Sequence, residues 1–98
     1  MFVSGQLPVE PRTGDVGDGI EVQIKQSLEN VSAILASEGL DLESVLKTTV
    51  FLKDLNDFQC MNAVYGEFFP HAAPARVCVQ VAKLPKDVLV EIEAIAIC

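Results

Sequence analysis

Val88 to Ile97, close to the end of this 98-residue chain, is a run of apolar residues interrupted only by two glutamates. Successive side chains of a strand point to opposite faces. Val88, Val90, Ile92, Ala94 and Ala96 therefore fall on one side, and Leu89, Glu91, Glu93, Ile95 and Ile97 on the other. Both sides carry apolar bulk, so both need cover. A chain of this length has room for one sheet and about two helices over one core, and residues 1–98 read as a single domain. Helices can close one face. The other would leave Leu89, Ile95 and Ile97 as an apolar patch, and a neighbouring subunit is its simplest cover.

The remaining segments supply the partners of that strand. Met1 to Gln6 reads as a short strand, followed by a Pro/Gly-rich turn from Pro8 to Gly14. Asp18 can cap a helix with Glu21 three residues on; Ile20, Ile24, Leu28, Val31 and Leu35 then recur at helical spacing until Gly39. Ser44 to Lys53 is rich in β-branched residues, with Val45, Lys47, Thr49 and Phe51 on one side and Leu46, Thr48, Val50 and Leu52 on the other. Asn56 or Asp54 can cap a second helix whose stripe is Phe58, Met61, Tyr65 and Phe68, ending before Pro70. Ala75 to Ala82 alternates Val77, Val79 and Val81 against Arg76, Cys78 and Gln80, and Leu84-Pro85-Lys86-Asp87 separates it from the last strand. The order β-α-β-α-β-β predicts an α/β (α+β) two-layer sandwich, a mixed sheet with both helices on one face.

Charge and cysteine usage narrow the function. Fourteen acidic against seven basic residues give a net charge of −7, a field that repels phosphate backbones and anionic lipid heads. Neither nucleic acid nor membrane is an expected partner. No apolar run approaches a membrane span and no secretory leader is visible, so the expected location is the cytoplasm. Cys60, Cys78 and Cys98 are an odd number at wide spacing, which fits reduced thiols better than a disulfide framework or a zinc site. His71 is the single histidine, so Ser-His-Asp chemistry and histidine metal sites are unsupported, and it reads as a surface loop residue. Gly14, Gly17 and Gly19 lack the strand-turn-helix setting of a dinucleotide loop.

Arg76 is the most informative candidate, because a guanidinium among small and apolar strand positions calls for an anion beside it. That anion is either Glu91 or Glu93 in a structural ion pair, or a substrate carboxylate in a bidentate fork. Glu91 and Glu93 share a strand face, where a partly desolvated carboxylate can serve as a general base toward water or as an ion-pair member. Cys78 shares the face of Arg76 and reads as a small buried hydrophobe or a pocket wall, not as a nucleophile. Tyr65 and Phe68 read as core.

Several segments, in order along the whole chain, resemble the Rid (YjgF-like) family. They are Val3-Ser4-Gly5-Gln6-Leu7-Pro8 with Thr13-Gly14, Ser27-Leu28-Glu29-Asn30, Val45 to Leu52, Asp54 to Phe58, Asn62-Ala63-Val64-Tyr65, and Pro74-Ala75-Arg76 through Ala96. The resemblance implies a chorismate-mutase-like fold and a homotrimer with pockets in the clefts between subunits. It implies hydrolysis of 2-imino acids such as 2-iminobutyrate and 2-iminopropanoate, and of their enamine tautomers, to 2-keto acids and ammonia, with no metal or organic cofactor. By position, Arg76 is similar to the arginine that grips the substrate carboxylate, and Glu91 to the glutamate that holds or activates the attacking water. Cys78 falls where backbone groups meet the substrate, while Ser4, Gly5 and Asn62 match pocket-lining positions. Family chains also carry an earlier strand and a Gly-Pro-Tyr motif whose tyrosine reaches the pocket. These have no counterpart here, which is expected to leave a strand edge open, with Met1 either a native start or a late one. Two readings stand: an imine/enamine deaminase, and a non-catalytic trimeric binder or sensor of small 2-keto or 2-amino acids. A nuclease, an activity long attached to relatives by name, fits poorly with the charge and the lack of a basic patch.

Overall fold

A strand that is apolar on both faces belongs inside a sheet, and the computed structural model, which describes residues 1–71 and 73–98, places it there. The elements are β1 (Phe2–Gln6), α1 (Ile20–Ser37), β2 (Val45–Leu52), α2 (Phe58–Phe68), β3 (Ala75–Gln80) and β4 (Val90–Ala96). Strand order is β1-β4-β2-β3. β4 runs antiparallel to both its neighbours, while β2 and β3 are parallel and joined by α2, as a parallel pair requires a crossover. α1 and α2 pack on each other and on one sheet face around one core. The mixed two-layer sandwich expected from the sequence is therefore what the chain adopts.

The core lies between that face and the helices. Ile24, Leu28 and Leu35 of α1, Val50 and Leu52 of β2, and Val90 and Ile92 of β4 are wholly buried, each worth roughly 1.5–3 kcal/mol by removal from water. α1 also buries polar residues, and these brace loops. Gln23 donates to the Gly17 carbonyl at 2.9 Å and accepts from the Leu89 amide at 2.8 Å. Asn30 donates to the carbonyls of Leu7 and Val9. The Ser27 hydroxyl, equally buried, has no partner among the described residues. No helix in those residues is long and apolar enough to cross a membrane.

Four local expectations are corrected. Asp18 does not cap α1: the cap position is Gly19 at φ 88°, with no side-chain cap bond, so Asp18 lies one residue outside it. The far end agrees with expectation, since Gly39 at φ 73° lets the amides of Gly39 and Leu40 turn back to the carbonyls of Ala36 and Leu35. In β2 a register shift between Val45 and Lys47 breaks the simple alternation, so Val45 joins Thr48, Val50 and Leu52 inside while Leu46 is 55% exposed. The second helix is preceded by a short turn over Leu55–Asp57, and it is this turn that Asp54 caps. Leu89 precedes β4 and packs partly against the core, so it is not part of the uncovered patch.

The other sheet face is open in the single chain. Val77, Val79, Ile95 and, at 83% exposure, Phe2 stand on it uncovered. In β3 the valines thus face outward, and Arg76 and Cys78 take the helix side, opposite Thr48 and Val50 in the pairing.

Gly66 offers a direct test of the helical assignment. It sits inside α2, and a Cβ there would meet nothing within 4 Å. Gly66→Ala is expected to stabilise the protein by about 1 kcal/mol through reduced backbone entropy loss. A denaturant midpoint that falls instead of rising would contradict the helical geometry.

Candidate functional site

Arg76 leaves the helix side of the edge strand β3 and meets α2 at three residues of one helical stripe, Phe58, Asn62 and Tyr65. Its guanidinium carbon lies 4.7 Å from the Tyr65 ring centre and 5.3 Å from that of Phe58. Nη1 donates to Asn62 Oδ1 at 2.6 Å. Among the described residues the ion pairs are Arg12–Glu10, Lys25–Glu29 and Lys53–Asp87, and none involves Arg76. The ion pair with Glu91 or Glu93 that the sequence allowed does not form, because both glutamates lie across the sheet. Arg76 thus lines, without an ion-pair partner among the described residues, a cavity of about 320 Å³ bounded also by Tyr65, Gly66, Phe69, Ala73 and Pro74.

The walls of this site are tied into the core. The Tyr65 hydroxyl and the buried Thr48 hydroxyl share a 2.7 Å hydrogen bond. Burial raises the Tyr65 pKa, against smaller lowering effects of that bond and of the Arg76 charge, so the phenol stays protonated at neutral pH. Cys78, one step along the same strand face, is half-buried, and desolvation raises its thiol pKa more than Arg76 lowers it. A protonated thiol is a poor nucleophile, and Cys78 packs partly against the core.

Glu91 belongs to a second cluster on the open face. It pairs with Phe51 and is half-buried beside β1, where a Cβ on Gly5 would collide with its carboxylate. Ser4 and Glu93 line an adjoining depression of about 250 Å³ with Phe2 and Ile95. The structure thus brings Ser4, Gly5 and Glu91 together, and separately Asn62, Arg76 and Cys78. Within one chain Arg76 and Glu91 lie on opposite sides of the sheet.

His71 is exposed in its loop, and among the described residues no group of three His, Cys, Asp or Glu could hold a metal. The sequence reading missed Phe58 and Thr48 and took Tyr65 for core alone. The available signal was Asn62, a polar residue four after Phe58 and three before Tyr65 on one helix face.

Comparison with known proteins completes the description. The profile of the endoribonuclease L-PSP family matches residues 1–98. The chain is 56% identical over 100 aligned residues to the 2-iminobutanoate/2-iminopropanoate deaminase of Salmonella typhimurium, covering 99% of this chain and 78% of that protein. The crystal structure of Escherichia coli TdcF with bound serine superposes with a TM-score of 0.96 at 51% identity, covering 99% of this chain and 79% of that one. That of the E. coli YjgF gene product superposes at 0.95 with 52% identity, covering 98% and 78%.

Proposed function

From the premise that this chain belongs to the endoribonuclease L-PSP (YjgF/Rid) family, we propose that it hydrolyses 2-iminobutanoate and 2-iminopropanoate to the 2-keto acids and ammonia. One observation of the site carries the reading: a guanidinium fixed on three sides that makes no ion pair among the described residues. Such a group suits a small carboxylate. Identity of 56% to a named deaminase along the whole chain supports the same chemistry. The word endoribonuclease in the family description sits poorly with a net charge of −7.

In this mechanism Arg76 takes the substrate carboxylate in a two-point hydrogen bond. Glu91 accepts a proton from water as the water oxygen attacks the imine carbon, and the imine nitrogen takes up a proton. Glu91 then returns its proton to the adduct nitrogen, the hydroxyl gives up its proton as the carbonyl forms, and the C–N bond breaks to release ammonia. Water and imine balance keto acid and ammonia, so no cofactor is required. Asn62, Cys78, Ser4 and Gly5 line the pocket.

Because the two clusters lie on opposite sheet faces, the pocket is completed between subunits. The open face carrying Glu91 meets the β3–α2 edge carrying Arg76 of the next copy. Such a contact joins unlike patches and closes into a ring, which we take to be a homotrimer; it also covers Val77, Val79 and Ile95. Three unpaired cysteines suit the reducing cytoplasm.

A second reading, a binder of small amino or keto acids without turnover, is favoured by the serine in the TdcF structure. Freshly generated 2-iminobutanoate separates the two. The deaminase is expected to release ammonia and 2-ketobutyrate above the buffer rate. Binding of 2-ketobutyrate with no such release would leave the binder.

A further inference from the structure

We infer that Phe58 and Tyr65 are positioning residues for this reaction: with Asn62 they hold the Arg76 guanidinium in one plane and leave its remaining N–H donors for the substrate carboxylate. The inference rests on the deaminase reading for the identity of its ligand, and on geometry for the rest.

A guanidinium on a flexible stem must be ordered before it can make a two-point contact, and ordering it costs rotamer entropy. The common solution is a neighbouring carboxylate, which would occupy the fork and cancel the charge. Here the ordering groups are uncharged. Aromatic faces attract the cation without using an N–H, and Tyr65 and Phe58 lie 4.7 and 5.3 Å from it. Asn62 takes one donor, on Nη1.

Tyr65 can serve as a platform because it is itself fixed. The residue is 4% exposed, its ring lies 4.7 Å from that of Phe69, and its hydroxyl is bonded to Thr48. Thr48 is also the residue paired with Arg76 across β2 and β3. The arginine backbone and the ring beneath its side chain are thus held against the same threonine. Phe58, at the first turn of α2, and the exposed Asn62 complete the bracket from the solvent side. An aspartate at position 62 would place a carboxylate where the amide oxygen now accepts, and would occupy the fork from within.

The test combines arginine side-chain NMR of the ligand-free protein with 2-ketobutyrate titration and 2-iminobutanoate kinetics. In the wild type the Arg76 side-chain protons are expected at ring-current-shifted positions, which Tyr65→Leu abolishes. Tyr65→Leu and Phe58→Leu should raise KM and the 2-ketobutyrate Kd about tenfold with kcat changed less than about twofold, the signature of lost uniform binding. Asn62→Asp should raise Kd further, by about a hundredfold, because its new carboxylate competes for the same donors. A purely structural role would lower the active fraction and leave KM unmoved.

Phe58 and Asn62 lie toward the surface, so their variants keep the inference testable if Tyr65→Leu does not fold. Unshifted wild-type Arg76 protons, or a Kd unchanged in both Phe58→Leu and Asn62→Asp while the wild type binds 2-ketobutyrate, overturns the inference alone. A wild type that neither binds 2-ketobutyrate nor releases ammonia overturns the deaminase reading, and the inference with it.

Discussion

Arg76→Ala is expected to lower kcat/KM for 2-iminobutanoate by two to three orders of magnitude while the protein stays folded. Leaving a desolvated carboxylate without its charged, hydrogen-bonded partner costs about 3–5 kcal/mol, and every 1.4 kcal/mol is a factor of ten. The fold should tolerate the change, because the side chain is partly solvated and its loss removes two cation–π contacts and one hydrogen bond, together about 1.5–3.5 kcal/mol. Arg76→Lys should recover little. An ammonium is a point charge that cannot present two parallel donors to a carboxylate, and its shorter reach leaves Asn62 without its partner. Ammonia release measured at matched oligomeric state decides the matter. Turnover in Arg76→Ala within about fivefold of wild type would remove Arg76 from the role assigned to it.

Periodicity makes the architecture readable in the sequence. The 3.6-residue stripe from Ile20 to Leu35 and the alternation in Val88 to Ile97 each have one dominant period, and the structure follows the first throughout and the second from Val90 to Ala96. Where the sequence misled, a local event outweighed the pattern. The bulge near Leu46 reversed the facing of Val45, and a bulge leaves no trace in an alternating run of β-branched and apolar residues. At Gly19 the helix starts on a glycine at positive φ, one residue after Asp18, which offers a better side-chain cap. The site was legible residue by residue and hidden as an arrangement. Arg76 announced itself as a charge in apolar surroundings, yet strand spacing within β3 and β4 cannot say that their polar faces point in opposite directions. That fact depends on the pairing of Arg76 with Thr48 and of Glu91 with Phe51 across the strand between them. Tyr65 was hidden for a related reason: a residue at core spacing can be buried and still present its ring to a site.

The opposed faces lead to the second large effect. Glu91→Gln removes the proposed base without removing the carboxylate clamp, so kcat should fall by about 10²–10⁴-fold with 2-ketobutyrate affinity near that of wild type. Arg76→Ala and Glu91→Gln subunits are then each inactive for a different reason, and they can be denatured, mixed in equal amounts and refolded together. If each pocket takes Arg76 from one subunit and Glu91 from its neighbour, a pocket is intact when the first is a Glu91→Gln chain and the second an Arg76→Ala chain. Random assembly into a closed ring of identical contacts makes that true of about a quarter of pockets, whatever the number of subunits in the ring. Activity should therefore return to about a quarter of the wild-type value, with the per-pocket KM unchanged. A pocket built within one chain would give no recovery, because every subunit in the mixture lacks one of the two groups. The expected quarter rests on the proposed shared pocket, which the placement of Arg76 and Glu91 on opposite faces of the sheet supports.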